Sequence, residues 1–161
     1  MIVTAQLPIG WIFGGGPPPP APPAGAAAEA PGTGLARRIL IVEDEIMIAW
    51  WMQTAIEEMG YGRVDIVASG EAALDAVARD APALLVMDIN LGPGLDGIAT
   101  AERIRETGKM PVIFVSAYAD EATRERIARN IPGATLMRKP VPTEAFQQAV
   151  RAALDPKARP N

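Results

Sequence analysis

Two short aliphatic runs, each followed immediately by acidic residues, constrain the fold of this chain most. Residues 39–42 (Ile-Leu-Ile-Val) precede Glu43 and Asp44, and residues 83–87 (Ala-Leu-Leu-Val-Met) precede Asp88. Unbroken aliphatic runs of this length are typical of strands buried on both faces of a parallel sheet. Ligands of such sheets bind outside the carboxyl ends of the strands. The two strands are therefore predicted to bring several carboxylates into one crevice.

This acidic crevice is suited to a divalent cation. Neighbouring carboxylates repel one another unless a positive charge lies between them, and oxygen ligands of this kind favour Mg²⁺. Taken alone, Glu43 and Asp44 are also compatible with helix N-caps or loop residues, which are common after strands. Their combination with Asp88 at the end of a second strand favours a metal site built around Asp88.

From residue 37 onward, strand-like and helix-like segments alternate five times. Ser69 and Asp120 are suited to N-caps, Gly60 to a helix end, and Pro111 to the start of a strand. Repeated βα units with right-handed crossovers give a doubly wound sheet, so we predict an α/β fold with a five-stranded parallel sheet. The predicted strands are 39–42, 64–67, 83–87, 112–115 and 134–137, and the predicted helices are 47–59, 70–79, 97–106, 121–129 and 143–154.

Composition excludes several classes of function. The 161 residues include no cysteine and no histidine, which rules out disulfides, thiolate metal sites and imidazole catalysis. The formal net charge of −4 argues against a nucleic-acid-binding surface. No stretch approaches the roughly 20 apolar residues of a membrane span, and the apolar start lacks the basic residues of a secretory signal. We therefore expect a cytoplasmic protein with no membrane and no nucleic-acid partner.

Composition also changes sharply along the chain. Residues 1–35 are rich in proline, glycine and alanine, and Glu29 is their only charged side chain. Such a segment buries too little apolar surface to offset its chain entropy. We expect residues 1–35 to be a disordered tail, residues 36–155 to form one domain and residues 156–161 to be a short C-terminal tail.

The segment from Arg37 to Leu154 resembles the receiver domain of two-component response regulators. Four motifs carry the resemblance, each at the carboxyl end of a different predicted strand and in the family's order. The resemblance covers about three quarters of the chain and implies a flavodoxin-like (βα)5 fold. The motifs are Ile41-Val42-Glu43-Asp44, Met87-Asp88, Ser116-Ala117 and Lys139-Pro140.

The resemblance implies a role for each acidic residue. Asp88 would accept a phosphoryl group from the phosphohistidine of a partner kinase, which is chemistry that a positioned carboxylate can perform when its charge is shielded. Mg²⁺ would be bound directly by Asp44, Asp88 and the backbone carbonyl of Asn90, and through water by Glu43.

The resemblance also implies roles for Lys139 and Ser116. Lys139 would neutralise one phosphoryl oxygen and the Ser116 hydroxyl would donate a hydrogen bond to another. A cis peptide bond is implied between Lys139 and Pro140. Taken alone, Ser116 is more typical of a turn hydroxyl and Lys139 of a solvated surface charge.

The sequence departs from the family's commonest pattern in three places. The loop from Asp88 to Gly97 is about one residue longer and rich in glycine. Leu136 stands where an aromatic residue usually precedes the lysine, and an aromatic residue appears instead at Tyr118. The run from Phe114 to Tyr118 resembles the signature of stand-alone receivers. We expect Tyr118 to be the switch aromatic, with a loop tyrosine that shields the site as the alternative.

Two surfaces are candidates for partner binding. One comprises the fourth helix, the fifth strand around Leu136 and the fifth helix, and we expect Ser116, Tyr118 and Leu136 to transmit the signal to it. The other is the first helix. There Trp51 is predicted to lie on an inward stripe with Met47, Ala55 and Met59, whereas Trp50 points outward.

The sequence thus predicts a single-domain response regulator whose phosphorylation at Asp88 switches a protein-binding surface. Its partners would be a sensor histidine kinase or phosphotransfer protein and an unknown output protein. It would not be an enzyme beyond its own phosphorylation and dephosphorylation. The alternatives are a phosphate sink or relay for a kinase and, more distantly, a Mg²⁺-dependent phosphatase of the haloacid-dehalogenase type. That phosphatase needs a general acid where Asn90 stands, and an amide cannot transfer a proton.

Overall fold

The computed structural model describes residues 37–155 and contains five strands that alternate with five helices. Both expected tails, residues 1–35 and 156–161, lie outside the described residues. The elements are β1 (Ile39–Val42), α1 (Ile46–Glu57), β2 (Val64–Val67), α2 (Gly70–Arg79), β3 (Leu84–Met87), α3 (Gly97–Thr107), β4 (Val112–Ser116), α4 (Glu121–Asn130), β5 (Thr135–Arg138) and α5 (Thr143–Leu154).

The five strands form one parallel sheet in the order β2-β1-β3-β4-β5. The predicted doubly wound α/β fold is therefore confirmed. β1 and β3 are neighbours in register, with Ile39 opposite Leu84 and Val42 opposite Met87. Because the two strands end at the same level, the acidic residues that follow them emerge side by side at one edge of the sheet.

Side-chain alternation along the strands builds a separate core on each face of the sheet. Leu40, Val42, Leu85 and Met87 face α2, α3 and α4. Ile39, Ile41, Leu84 and Val86 face α1 and α5. Every residue of β1 and β3 is fully buried, which is why these two strands read as continuous aliphatic runs rather than alternating ones.

Three helices begin at side chains that accept a hydrogen bond from the first turn. Ser69 caps α2 and Asp120 caps α4, as predicted, and Asp96 caps α3. These bonds satisfy backbone N–H groups that have no partner within the helix. Within residues 37–155, no helix combines the length and the apolar content needed to cross a bilayer.

The prediction for α1 is correct for its tryptophans and wrong for Met47. Trp50 is 54 % exposed, whereas Trp51 is partly buried against Phe146 of α5, with ring centroids 5.2 Å apart. Met47 is 70 % exposed. The buried stripe includes Ala49 and Met52, and Met47 is rotated about 200° around the helix axis from Ala49, so it faces away from the sheet.

Candidate functional site

Three carboxylates converge at the carboxyl ends of β1 and β3. Glu43 and Asp44 follow β1, Asp88 follows β3, and one oxygen from each lies within 4.8 Å of the other two. The backbone sets this arrangement, since the Asp88 amide donates to the Val42 carbonyl at 2.9 Å. Glu43 is 1 % and Asp88 5 % exposed, whereas Asp44 is exposed. The predicted acidic crevice therefore exists, with two buried carboxylates and one open to solvent.

Lys139 reaches into this cluster from the end of β5. Its Nζ lies 2.6 Å from Asp88 Oδ2 and 2.9 Å from Glu43 Oε2. Its backbone amide donates to the Ser116 carbonyl at 3.0 Å, and its peptide bond to Pro140 is cis. Only 15 % of the lysine side chain is exposed, so Lys139 is a site residue rather than a solvated surface charge.

The environment shifts the pKa of two of these groups. Burial raises the pKa of Glu43, and the neighbouring charge of Asp88 adds to that effect while the hydrogen bond from Lys139 opposes it. Burial by itself lowers the pKa of Lys139, but its hydrogen bonds to Asp88 and Glu43 outweigh burial and leave the pKa raised. The ammonium is therefore held firmly in its charged form.

The charges of the site fit a divalent cation. With all groups ionised, three carboxylates and one ammonium leave two negative charges uncompensated in a largely buried place. The donors are all oxygen atoms, which suits Mg²⁺. Asp44 is the one exposed carboxylate of the three and bonds no lysine, so it is the best placed to meet an incoming ion, whereas Asp88 and Glu43 both already bond Lys139. The backbone amide of Asn90 donates to Asp88 Oδ1 at 3.0 Å, which places Asn90 beside the cluster. The role of its backbone carbonyl as a metal ligand stays a prediction.

The predicted switch residues occupy three different environments. Ser116 ends β4 and is fully buried, with its Oγ accepting from the Tyr118 amide at 3.3 Å. Tyr118 is 73 % exposed, so most of its side chain faces solvent in this conformation. Leu136 is partly buried and packs against the core on the α4 side of the sheet. Ser116 adjoins the acidic cluster through its backbone, since its carbonyl accepts from the Lys139 amide, and the switch roles of all three residues stay predictions.

The loop from Asp88 to α3 is held by contacts that the sequence did not reveal. Gly92 and Gly94 adopt positive φ angles of 71° and 116°, as a glycine-rich loop allows. Glu71 of α2 accepts a hydrogen bond from the Leu95 amide at 3.1 Å and holds the outer part of the loop. At the inner end, a Cβ on Gly97 would overlap the Asp88 backbone carbonyl. The loop glycines are visible in the sequence, but the partner Glu71 comes from a distant helix and carries no local signal.

A second group of unpredicted contacts joins α3 to α4. Arg126 contacts Asp96 at 3.0 Å and Glu102 at 3.4 Å, and Asn130 donates to Glu102 at 2.8 Å. Asp96 is the N-cap of α3 and also the last residue of the loop that begins at Asp88. The α4 helix is thus tied by side chains to the segment that carries the acidic site.

Comparison with known proteins agrees with the geometry. Residues 39–151 match the model of the response regulator receiver domain. The transcriptional regulatory protein TctD of Salmonella typhimurium is 33 % identical over 118 residues, covering 73 % of this chain and 51 % of TctD. The uncharacterized transcriptional regulatory protein YkoG of Bacillus subtilis is 38 % identical over 120 residues, covering 72 % of this chain and 50 % of YkoG. The chain spans about half the length of these two relatives.

Solved structures show the same fold. A CheY-like receiver domain protein from Methanospirillum hungatei superposes with a TM-score of 0.70 at 27 % identity, over 76 % of this chain and 96 % of that one. The receiver domain of PhyR from Erythrobacter litoralis superposes with a TM-score of 0.67 at 27 % identity, over 81 % and 98 %. Motifs, site geometry and matches all agree, and the chain belongs to the response regulator receiver domain family.

Proposed function

We propose that this protein is a phosphorylation-dependent switch in which Asp88 accepts a phosphoryl group from the phosphohistidine of a sensor histidine kinase or phosphotransfer protein. The observation that carries the proposal is the Lys139 ammonium bonded to a buried strand-end aspartate, within a cluster of two further carboxylates. A structural ion pair would need one carboxylate, whereas a cluster of three carboxylates, two of them bonded to one lysine, leaves negative charge for a cation to balance.

The proposed transfer forms one bond and breaks another. An Asp88 carboxylate oxygen attacks phosphorus, the P–N bond to the donor imidazole breaks, and the electron pair stays on the imidazole nitrogen. Lys139 would move its contact from Asp88 to a phosphoryl oxygen, and the Ser116 hydroxyl would donate to another. Mg²⁺, held by Asp44, Asp88 and the Asn90 carbonyl with Glu43 acting through water, would supply charge neutralisation between the carboxylates and the phosphoryl oxygens.

The same site would also serve hydrolysis of the acyl phosphate. Residue 90 is an asparagine, so the general acid of a haloacid-dehalogenase-type phosphatase is missing from that position. We therefore propose a protein that catalyses only its own phosphorylation and dephosphorylation, acting in the cytoplasm.

Output would pass through a surface made by α4, β5 and α5. Phosphorylation adds roughly −1.5 to −2 charges next to the ends of β4 and β5, where Ser116 and Lys139 lie. If both residues move toward the phosphoryl group, the exposed Tyr118 ring gains room to turn inward. The group need only favour the active arrangement by a few kcal/mol, since the mechanism is a population shift.

The output partner is proposed to be a protein. The relatives described above are named transcriptional regulatory proteins, and this chain covers about half of each. The net charge of −4 argues against direct nucleic-acid binding by this chain. The second candidate, a phosphate sink or relay for a kinase, uses the same Asp88 site but requires fast turnover instead of a long-lived phosphoryl form.

The test is phosphotransfer from a panel of autophosphorylated histidine kinases to the wild-type chain and to Asp88→Asn. We expect one kinase to transfer its phosphoryl group to the wild type. This transfer should be abolished in Asp88→Asn and retained in Asp75→Asn. Asp75 is an exposed aspartate on α2 and serves as the matched control. Transfer that persists in Asp88→Asn contradicts the proposal, and the decay rate of the phosphoryl form separates an adaptor from a sink.

A second measurement tests the output route. Beryllofluoride, a stable mimic of the phosphoryl group, should shift amide resonances around Ser116, Tyr118 and Leu136 and in α4 and α5. Shifts confined to the acidic cluster would contradict the route through β4 and β5. Shifts concentrated in α1 would point instead to the surface around Trp50.

A further inference from the structure

The loop from Asp88 to Gly97 runs along one side of the acidic cluster. It is about one residue longer than in the family's commonest pattern, and the proposed phosphoryl transfer makes no use of that difference. Near its start, the Asn90 amide bonds Asp88. A Cβ added at Gly92 would lie 3.6 Å from Asp44 Oδ2, so the loop backbone passes beside the exposed carboxylate. The position of this loop therefore determines the surroundings of Asp44 and Asn90.

Few contacts hold the outer part of the loop. Leu91 is buried in the core and Gly97 begins α3, so both ends are fixed. In the part of the chain that the structure describes, residues 92–95 make one hydrogen bond, from the Leu95 amide to Glu71 Oε1 at 3.1 Å. Since two of these four residues are glycines, the segment has little stiffness of its own. Its position depends on the bond to Glu71.

The anchor for this bond is rigid and fits the loop closely. Glu71 lies in the first turn of α2, and that turn packs tightly on α3, since a Cβ added at Gly70 would overlap Thr100 Oγ1. A Cβ added at Gly94 would come within 2.8 Å of Glu71 Oε1. Hydrogen bonds from its own backbone amide and from the Leu95 amide hold the pKa of Glu71 below its ordinary value of 4.5. Glu71 therefore accepts from the loop as a carboxylate at neutral pH.

From these observations we propose that Glu71 is a positioning residue for the Mg²⁺ site, which holds residues 92–95 through Leu95 and so keeps Asp44 and Asn90 in place for the ion. The inference rests on the proposed function for the identity of the ion. Glu71 does not belong to the carboxylate cluster, so its effect would pass through the loop backbone. Without the bond, the loop would have to be ordered each time the ion binds, which costs conformational entropy.

The test compares Mg²⁺ binding by the full chain and by three variants. Glu71→Leu removes the acceptor, whereas Glu71→Gln removes the charge but keeps an oxygen that can accept from Leu95. Glu144→Leu is the matched control, because Glu144 is the second residue of α5 as Glu71 is of α2, and both are exposed. Following the amide resonances of Asp44 and Asn90 during a Mg²⁺ titration gives each dissociation constant.

The hydrogen bond, and not the charge, is expected to matter. Glu71→Leu should weaken Mg²⁺ binding roughly tenfold, whereas Glu71→Gln should stay close to the wild type. Glu144→Leu should bind Mg²⁺ as the wild type does. In the metal-free chain, the Leu95 amide should exchange its proton faster in Glu71→Leu than in the wild type or the other two variants, which reports the loop without the ion.

Three results would overturn the proposal: unchanged Mg²⁺ affinity in Glu71→Leu, an equal loss in Glu71→Gln, or an equal loss in Glu144→Leu. The second would assign the effect to charge alone, and the third to acidic residues at helix N-termini in general. Phosphotransfer to Asp88 is measured on the same preparations. Intact transfer with any of these three results rejects the positioning role alone. Mg²⁺ binding that depends on Glu71 as expected, without any transfer to Asp88, leaves that role and rejects the proposed function.

Discussion

Lys139 neutralises part of the negative charge of the site, since it contacts both Asp88 and Glu43. The sequence predicted the carboxylates from their position after aliphatic runs, because strand ends determine where such residues emerge. The lysine was assigned only by resemblance, since nothing local distinguishes it from a surface charge. Its two ion pairs span 96 and 51 residues of sequence, so only the fold reveals them.

Replacement of Lys139 by methionine is expected to destabilise the fold by about 1–3 kcal/mol at neutral pH, because two buried carboxylates lose their cation. The pKa of Lys139 is raised above its ordinary value of 10.5, so its stabilisation is complete below that value and is lost as pH rises through the raised one. Chemical denaturation should therefore show a wild-type advantage that shrinks at strongly alkaline pH. Lys109→Met, at an exposed lysine, is the control and should cost little; an equal loss in both variants would refute the role of Lys139.

Mg²⁺ affinity should depend on Asp44 more than on Glu43. Asp44 is exposed to an incoming ion, whereas Glu43 is buried and already bonded to Lys139. We expect Asp44→Asn to weaken binding roughly tenfold or more, and Glu43→Gln to weaken it less. Titration followed by fluorescence of Trp50 and Trp51 gives both constants. Unchanged affinity in Asp44→Asn would remove this residue from the metal site.

At the scale of elements, the N-terminus of α3 is locked to the site. The Gly97 amide donates to the Ile89 carbonyl at 2.8 Å, and Asp96 caps the helix by accepting from the Ala99 amide at 2.6 Å. Helix α3 was predicted to follow the glycine-rich loop that runs to Gly97, and it does begin there, but the cap and the close backbone approach were not predicted. Ser69 and Asp120 were predictable caps because each lies a few residues after a predicted strand and directly before a helical segment, whereas Asp96 follows a glycine-rich loop whose path only the packing decides.

Gly97→Ala should impair phosphorylation of Asp88. The added Cβ would overlap the Asp88 backbone carbonyl, so the strand end or the helix must shift, at a cost of about 1–3 kcal/mol. Gly108→Ala is the control, since an added Cβ there meets nothing within 4 Å. Phosphorylation rates with a small phosphodonor and denaturation midpoints test the pair. A Gly97→Ala protein that matches the wild type in both would show that the loop has room to adjust.

Two substitutions at Asp96 distinguish its role as a helix cap from its role in an ion pair. Asparagine caps as well as aspartate, so Asp96→Asn removes only the charge facing Arg126, while Asp96→Ala should cost about 1 kcal/mol more. Burial alone would raise the pKa of Asp96, but the Ala99 amide and Arg126 leave it below its ordinary value of 3.8. The stabilisation is therefore present above that value and is lost as pH falls through the lowered one. Denaturation curves that coincide for the two variants would exclude the cap.

For the molecule as a whole, the strand order is what turns separate motifs into a site. Glu43 follows β1, Asp88 follows β3 and Ser116 ends β4. These three strands lie next to one another in the sheet, and Lys139 follows the edge strand β5. Aliphatic runs and turn residues predicted the sheet and four of the five strands almost to the residue, because parallel strands buried on both faces leave an unambiguous pattern. The buried face of α1 was harder to predict. That helix is apolar nearly all round, so periodicity alone does not identify its inward face.

The proposed function depends most on Asp88 being the residue that carries the phosphoryl group. The most direct measurement treats the phosphorylated chain with borohydride, which reduces an aspartyl phosphate to homoserine, and locates the product by mass spectrometry of peptides. Homoserine is expected at residue 88 alone, formed only when Mg²⁺ and a phosphodonor are both present. Homoserine at residue 44, or a phosphorylated chain with no reducible aspartate, would contradict the proposed function.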